Sequence, residues 1–219
     1  MSNFQPPSPD NKMEEEFCKI KDFFNFFDIS PGAIVLNVGC GFDFISHELS
    51  KSGFMTVSLD ISFPVLKASS LQFYGPSFIQ GDARQLPLKN NCIDAVIDNA
   101  FLHCLISEKD RTSYFREIKR ILKNEGKFFL KTMTSPISKE IFPLEISKNG
   151  IAFRQTKSGK IPVRVIKPKE DIIETLSRHG FELLYVKHFR EYKDDPNYTL
   201  IVYAKYRIKK TRCIYLYIN

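Results

Sequence analysis

No apolar run in the 219-residue chain approaches the roughly 20 residues that cross a bilayer, so a membrane-spanning helix is not expected. The opening MSNFQPPSPDNKMEEEF has neither the basic n-region nor the apolar h-region of a secretory signal. The five cysteines, Cys18, Cys40, Cys92, Cys104 and Cys213, are odd in number, scattered and without a CxxC pair, which argues against a disulfide framework and against a zinc knot. These absences lead us to expect a soluble protein of the reducing cytosol, with no metal. The charge is one-sided, with a formal net of +7, yet the basic residues are spread along the chain. Two denser stretches, 154–169 and 205–212, carry no aromatic-basic motif of an RNA module, so a nucleic acid partner is the weaker reading of the charge.

What is there is ordinary globular material: 43% hydrophobic and 26% charged residues, in a length that suits one α/β domain. The proline-rich QPPSPD at 5–10 reads as non-helical, giving a flexible lead over 1–12. Phe17, Ile20, Phe23, Phe24 and Phe27 then recur at three- and four-residue steps, one apolar face of a helix laid on the domain. Beyond SPG at 30–32, AIVLNV, MTVSLD, SFIQGD, CIDAVIDNAF and GKFFLKTM read as strands, with helices over FISHELSKSG, FPVLKASSLQF and DRTSYFREIKRILK. Strands alternating with helices predict parallel pairing through right-handed crossovers. The stretch 134–167 has little periodicity and is expected to be an irregular insertion. A helix PKEDIIETLSRHG follows, then FELLYVKHF and YTLIVYAKY, an antiparallel pair joined at KDDPN. The domain is thus expected over 13–207, with a tail at 208–219 of undecided structure.

Ligands of an open parallel sheet sit beyond the carboxyl ends of its strands. Four such ends carry polar or glycine residues here: Asn37-Val38-Gly39-Cys40-Gly41, Asp60, Gly81-Asp82 and Asp98-Asn99. Glycines let the chain turn sharply and let a ligand lie against the main chain, while the helix that follows offers free N–H groups to an anion such as the carboxylate of an amino-acid-like cofactor. Asp60 stands about twenty residues past the loop, the spacing of a second-strand acid that binds a ribose diol. A dinucleotide fingerprint would need glycine at Phe44, and no GK[ST] follows the loop, so neither a nicotinamide or flavin site nor a P-loop is expected.

The segments VLNVGCGFDFISHEL, VSLDIS, GDARQLPLKNNCIDAVIDNAFLHCL and YFREIKRILKNEGKFFL resemble, in order, the motifs of class I S-adenosylmethionine-dependent methyltransferases of the small-molecule branch, over roughly residues 30–205. The resemblance implies a Rossmann-like three-layer α/β sandwich with a mainly parallel seven-stranded sheet, its last strand antiparallel. It implies S-adenosyl-L-methionine as cofactor, with Asn37, Gly39, Cys40 and Gly41 at the methionine part and Asp60 with Ile61 at the ribose. Asp82 and Ala83 would meet the adenine, and Asn99, Ala100 and Phe101 the transferred methyl. The family often has a histidine near the acceptor, which makes His103 the candidate base; a histidine satisfied by a backbone carbonyl is the alternative. DNAF at 98–101 lacks the two prolines of the amino-methyltransferase clamp.

Two positions depart from the family. Asn37 replaces an acid at the end of the first strand, and Asp43 replaces a loop glycine. Asp43 reads either as a helix N-cap or as a cofactor contact. Because it would repel the cofactor carboxylate, it is expected to turn toward free N–H groups or the ammonium. The insertion at 134–167 lies where the family builds acceptor lids; its Arg154, Lys157, Lys160, Arg164 and Lys167 form either a solvated basic loop or an attraction for an anionic acceptor. The expected function is methyl transfer to a small-molecule or exposed acceptor. Protein or RNA methylation, and a non-catalytic cofactor- or partner-binding protein, are the alternatives.

Overall fold

A computed structural model of the chain describes residues 9–137, 144–191 and 197–207. The tail at 208–219, most of the lead and most of the KDDPN turn lie outside the described residues. The first helix, α1 (Pro9–Phe26), begins inside the expected lead. Pro9, the first described residue, is already helical, and a proline near a helix start gives up an N–H that would have no helical partner anyway.

Then follow β1 (Ile34–Val38), α2 (Phe44–Lys51), β2 (Met55–Asp60), α3 (Phe63–Gln72), β3 (Ser77–Gln80) and β4 (Ile93–Asn99). A 3₁₀ turn (Leu102–Cys104), α4 (Glu108–Ile121) and β5 (Leu122–Thr134) come next. After β6 (Glu145–Ile146), β7 (Ile151–Thr156) and β8 (Gly159–Val165), the chain closes with α5 (Lys169–Arg178), β9 (Phe181–Phe189) and β10 (Tyr198–Tyr206). The main sheet has seven strands in the order β3-β2-β1-β4-β5-β10-β9. β1 pairs parallel with both β2 and β4, and β4 with β5, whereas β10 runs antiparallel to β5 and β9. The order reverses at β1 and β4, so a crevice opens between their carboxyl ends.

Both faces of the sheet are buried, and period-two alternation sorts the side chains between them. Leu36, Val96, Phe128, Leu130, Leu200 and Val202 enter one core with Tyr114, Phe115 and Ile118 of α4 and Leu176 of α5. Val35, Ile97, Phe129 and Ile201 enter the other with Ile20, Phe23 and Phe24 of α1 and Leu49 of α2. The expected aromatic stripe of α1 is therefore core: Phe23 stands edge-on to Phe129 and Tyr203, at 5.7 and 5.4 Å between ring centroids. Burying such side chains stabilises by about 1.5–3 kcal/mol each.

Two stretches depart from the expectation. α4 stops at Ile121 and the chain enters β5 directly, with a register shift opposite Ile93–Ala95 and Glu125 at φ +62. The stretch 134–167 is not irregular where described: β6, β7 and β8 form a separate antiparallel sheet. Its strands carry mostly half-buried and exposed residues and Pro162 sits by a register shift, so no alternating apolar pattern marks them. Ala152 and Ile166 anchor this sheet against Met133 of β5. Among the described residues no helix is long and apolar enough to cross a membrane.

Candidate functional site

The loop after β1 turns on two residues in the left-handed region, Gly39 at φ +63 and Gly41 at φ +55. At Gly39 the requirement is double, since a Cβ there would lie 2.4 Å from Cδ2 of Phe101. The loop ends at Asp43, which is almost fully buried and caps α2: its Oδ1 accepts from Ser46 N at 3.0 Å and from Asn37 Nδ2 at 2.8 Å. The Ser58 hydroxyl donates to its Oδ2. Burial pushes the Asp43 carboxyl up from the ordinary range, against the pull of these hydrogen bonds. Asp43 has thus turned aside to N–H and O–H donors, and Asn37 supplies one of them.

Asp60, at the end of β2, straddles the loop: Oδ2 accepts from Gly41 N at 3.0 Å and Oδ1 from Ser62 N at 2.9 Å. Cys40 sits between these carboxylates, its thiol raised by burial and then by Asp43 and Asp60, so it stays protonated. After β3, Asp82 is gripped by Arg84, whose Nη2 is 2.7 Å from Asp82 Oδ2 and whose Nη1 is 2.8 Å from Asp110 Oδ1. The Arg84 bonds hold the Asp82 carboxyl below its usual range.

Asp98, fully buried at the end of β4, builds the last wall. Its Oδ1 accepts from Phe101 N at 2.9 Å and Leu102 N at 3.2 Å, and its Oδ2 from the Tyr114 hydroxyl at 2.7 Å. Desolvation outweighs these three donors and brings the carboxyl up to about 6. The turn they fix holds Ala100 at φ +74 and leaves Asn99 Oδ1 buried without a partner among the described residues.

A cavity of about 330 Å³ lies among these ends, lined by Gly39, Asp60, Ile61, Asp82, Ala83 and Phe101 of the expected residues. Arg84, Leu105 and Ile106 line it too; they are spaced irregularly beyond β3 and β4, and no motif marks them. Asn37, Cys40, Gly41 and Asn99 stand outside the lining, Asn37 braced beneath the loop. Ala100 faces a neighbouring pocket of about 210 Å³, along with His103, Lys131, Thr132 and Arg164.

His103 is 5% exposed, with Nδ1 3.2 Å from the Thr132 hydroxyl and 3.5 Å from the donating N–H of Met133. Neither partner is the backbone carbonyl of the alternative reading. Burial, then Arg164 and Lys131, push the imidazole down to about 3. Held neutral this way, His103 is a hydrogen-bonding group at Nδ1. Beside it, Lys131 is joined to Glu16 of α1 and, at 3.0 Å, to Glu191, and Lys19 pairs with the same two acids. Despite its burial, Glu191 is held down to about 2, chiefly by Lys131.

Residues 36–130 match a family model described as a methyltransferase domain. The chain is 30% identical over 110 residues to a demethylmenaquinone methyltransferase of Corynebacterium kroppenstedtii, covering 50% of this chain and 46% of that one. It is 34% identical over 111 residues to a tRNA (carboxymethyluridine(34)-5-O)-methyltransferase of Arabidopsis thaliana, covering 50% of this chain and 26% of that one. The match therefore spans less than half the length of these curated relatives. In architecture the chain is similar to a SAM-dependent methyltransferase of Methanosarcina mazei, with a TM-score of 0.70 at 18% identity over 87% of this chain and 98% of that one.

Proposed function

We propose, on the premise that the chain belongs to the class I S-adenosylmethionine-dependent methyltransferase superfamily, that it binds S-adenosylmethionine in the larger cavity and methylates an acceptor held in the smaller pocket. One observation carries this reading: Gly39, Asp60, Ala83 and Phe101, from four separate strand ends, line a single cavity at the point where the strand order reverses.

The residues present fit the cofactor. A Cβ at Gly39 would fill the cradle, Asp60 offers lone pairs for a diol, and Ile61, Leu105 and Ile106 give apolar walls. Bound there, the cofactor supplies an activated methyl group. The main chain of Gly39, Cys40 and Gly41 would hold its amino-acid end, with Asn37 fixing the loop from below through Asp43. Asp60 and Ile61 would take the ribose, and Asp82 and Ala83 the adenine side. Phe101 lines the larger cavity and Ala100 the smaller pocket, and with Asn99 they would stand beside the transferred methyl and position the acceptor. His103 would orient that acceptor through a hydrogen bond and leave it to arrive deprotonated.

The departures at Asn37 and Asp43 favour a non-catalytic protein only if Asp43 obstructs the loop, and its side chain points away. A macromolecular acceptor is the second reading, favoured by the +7 charge and by the relative that acts on tRNA. Methyl label partitioning into the small-molecule or the macromolecular fraction of a lysate separates the two. A cytosolic location is part of the proposal.

The test is calorimetric titration with S-adenosylmethionine and S-adenosylhomocysteine, for the wild type and Asp60→Ala. Losing the charged acceptor should weaken binding about 10- to 100-fold, the equivalent of about 1.5–3 kcal/mol, with the far-ultraviolet spectrum unchanged. Equal affinity in the two proteins would remove Asp60 from the cofactor site.

A further inference from the structure

The basic residues of the 134–167 stretch are not equivalent. Arg154, Lys157 and Lys160 are exposed, with Lys160 paired to Glu145, and Lys167 lies 3.5 Å from Glu108. Arg164 on β8 is half-buried and lines the 210 Å³ pocket beside His103. Among the described residues its only side-chain hydrogen bond runs from Nη1 to the sulfur of Met133 at 3.5 Å, and no carboxylate pairs with it.

The charges around the pocket can be summed by sign. Lys131 and Lys19 are cancelled by Glu16 and Glu191, leaving the guanidinium of Arg164 as the net charge of the walls among the described residues. The other polar groups facing the space, His103, Thr132, Asn197 and Thr199, are neutral. A half-buried guanidinium without a counter-ion is the standard receptor for a planar anion, which it grips through two parallel N–H bonds.

We propose that this pocket recognises the acceptor as a small carboxylic acid, with Arg164 binding the carboxylate. The inference rests on the methyltransferase reading for the word acceptor, though not for the binding itself. A monoanion suits the site better than a phosphate dianion, because Glu191 faces the same space and only one positive charge is left unmatched. The described walls enclose about 210 Å³, room for a small acid. A ligand already ionised needs no base from the walls, where Glu191 is tied to two lysines.

The experiment is titration of the full chain, saturated with S-adenosylhomocysteine, with benzoate, 4-hydroxybenzoate and butyrate, followed by ligand-observed NMR. Benzamide serves as the neutral counterpart and inorganic phosphate as the alternative anion. Expected is saturable binding of at least one acid, weakened at least tenfold in Arg164→Gln and partly kept in Arg164→Lys, with affinity for S-adenosylhomocysteine the same in all three proteins. Benzamide should not compete. Binding of no acid, binding of phosphate in preference to the acids, or acid binding unchanged in Arg164→Gln would each overturn the proposal. Acid binding that depends on Arg164 in a protein that fails to bind S-adenosylhomocysteine would keep the anion site and remove the methyltransferase reading. Cofactor binding without acid binding would do the reverse.

Discussion

The Asn37–Asp43 pair is one unit of charge and hydrogen bonding, and a double-mutant cycle measures it. In Asn37→Asp a second carboxylate would stand where an amide now donates to Asp43 at 2.8 Å, with both side chains almost fully buried. At that distance two like charges repel by about 6 kcal/mol at an effective dielectric constant of 20. The protein escapes by taking up a proton, and the cost is then bounded by holding one carboxyl, ordinarily near pKa 3.9, protonated at pH 7: about 4 kcal/mol. Asp43→Asn keeps a cap for Ser46 N–H and loses a charge-assisted bond, for about 1–2 kcal/mol. The double variant Asn37→Asp/Asp43→Asn exchanges acid and amide, restores one carboxylate, and should also cost only about 1–2 kcal/mol. Additivity would demand about 5–6, so a coupling of roughly 3–4 kcal/mol is expected. Urea unfolding of the four proteins, followed by circular dichroism at pH 7 and pH 5, is the assay. The penalty of Asn37→Asp alone should shrink by about 1.4 kcal/mol per unit of pH lowered. Additive effects within about 0.5 kcal/mol, or a penalty independent of pH, would refute the pairing.

Gly39→Ala should weaken S-adenosylhomocysteine binding at least about tenfold and cost about 1–3 kcal/mol of stability, because the new Cβ meets the Phe101 ring at 2.4 Å from a residue at φ +63; calorimetry with matched wild-type affinity would contradict this. For Asp98, whose folded carboxyl titrates near 6 against the ordinary 3.8, the unfolded chain releases its proton first as pH rises, so the wild type loses stability from about pH 4 to pH 6. The loss is about 3 kcal/mol, constant above pH 6; Asp98→Asn should lack it, and a flat difference between the two unfolding curves from pH 4 to 7 would rule it out.

Much of the fold was legible because the main-sheet strands bury both faces and its helices bury one stripe. AIVLNV, CIDAVIDNAF and GKFFLKTM declare themselves by apolar continuity, and Phe17 to Phe27 by their three- and four-residue steps. The β6–β8 sheet stayed hidden because it buries little beyond Ala152 and Ile166. Its hairpin turns at Gly159, φ +121, and Pro162 sits within β8 by the register shift, so glycine and proline break the pattern where strands run. In the site, the strand ends and their acids could be located by order alone. What order could not supply was pairing across distance: Glu16, Lys131 and Glu191 come from three remote segments, and no spacing links them. The same limit applied to His103, whose neighbourhood, and so whose basicity, is set by β8 and β5 folding over it.

Asn37 and Asp43 show how a site can differ at two positions from the methyltransferases it resembles and still preserve one physical quantity. Taken singly, an amide at the strand end removes a negative charge that favours a cationic ligand, and an acid in the glycine loop adds one that repels a carboxylate. Taken together they move a single carboxylate six residues, from the strand end to the cap of α2. The parallel register that sets Asn37 beside Ser58 makes the new position tenable, since Ser58 and Ser46 N–H then supply the donors that a buried carboxylate requires. Asp43 and Asp60 both act on the Cys40 thiol at the loop's centre, raising it further after burial. A cation resting over Cys40 would meet the same two negative charges, while an anion at the loop would find the Asp43 oxygens already turned inward and occupied. The departure that argues most against cofactor binding when read residue by residue thus becomes, as a pair, compatible with it.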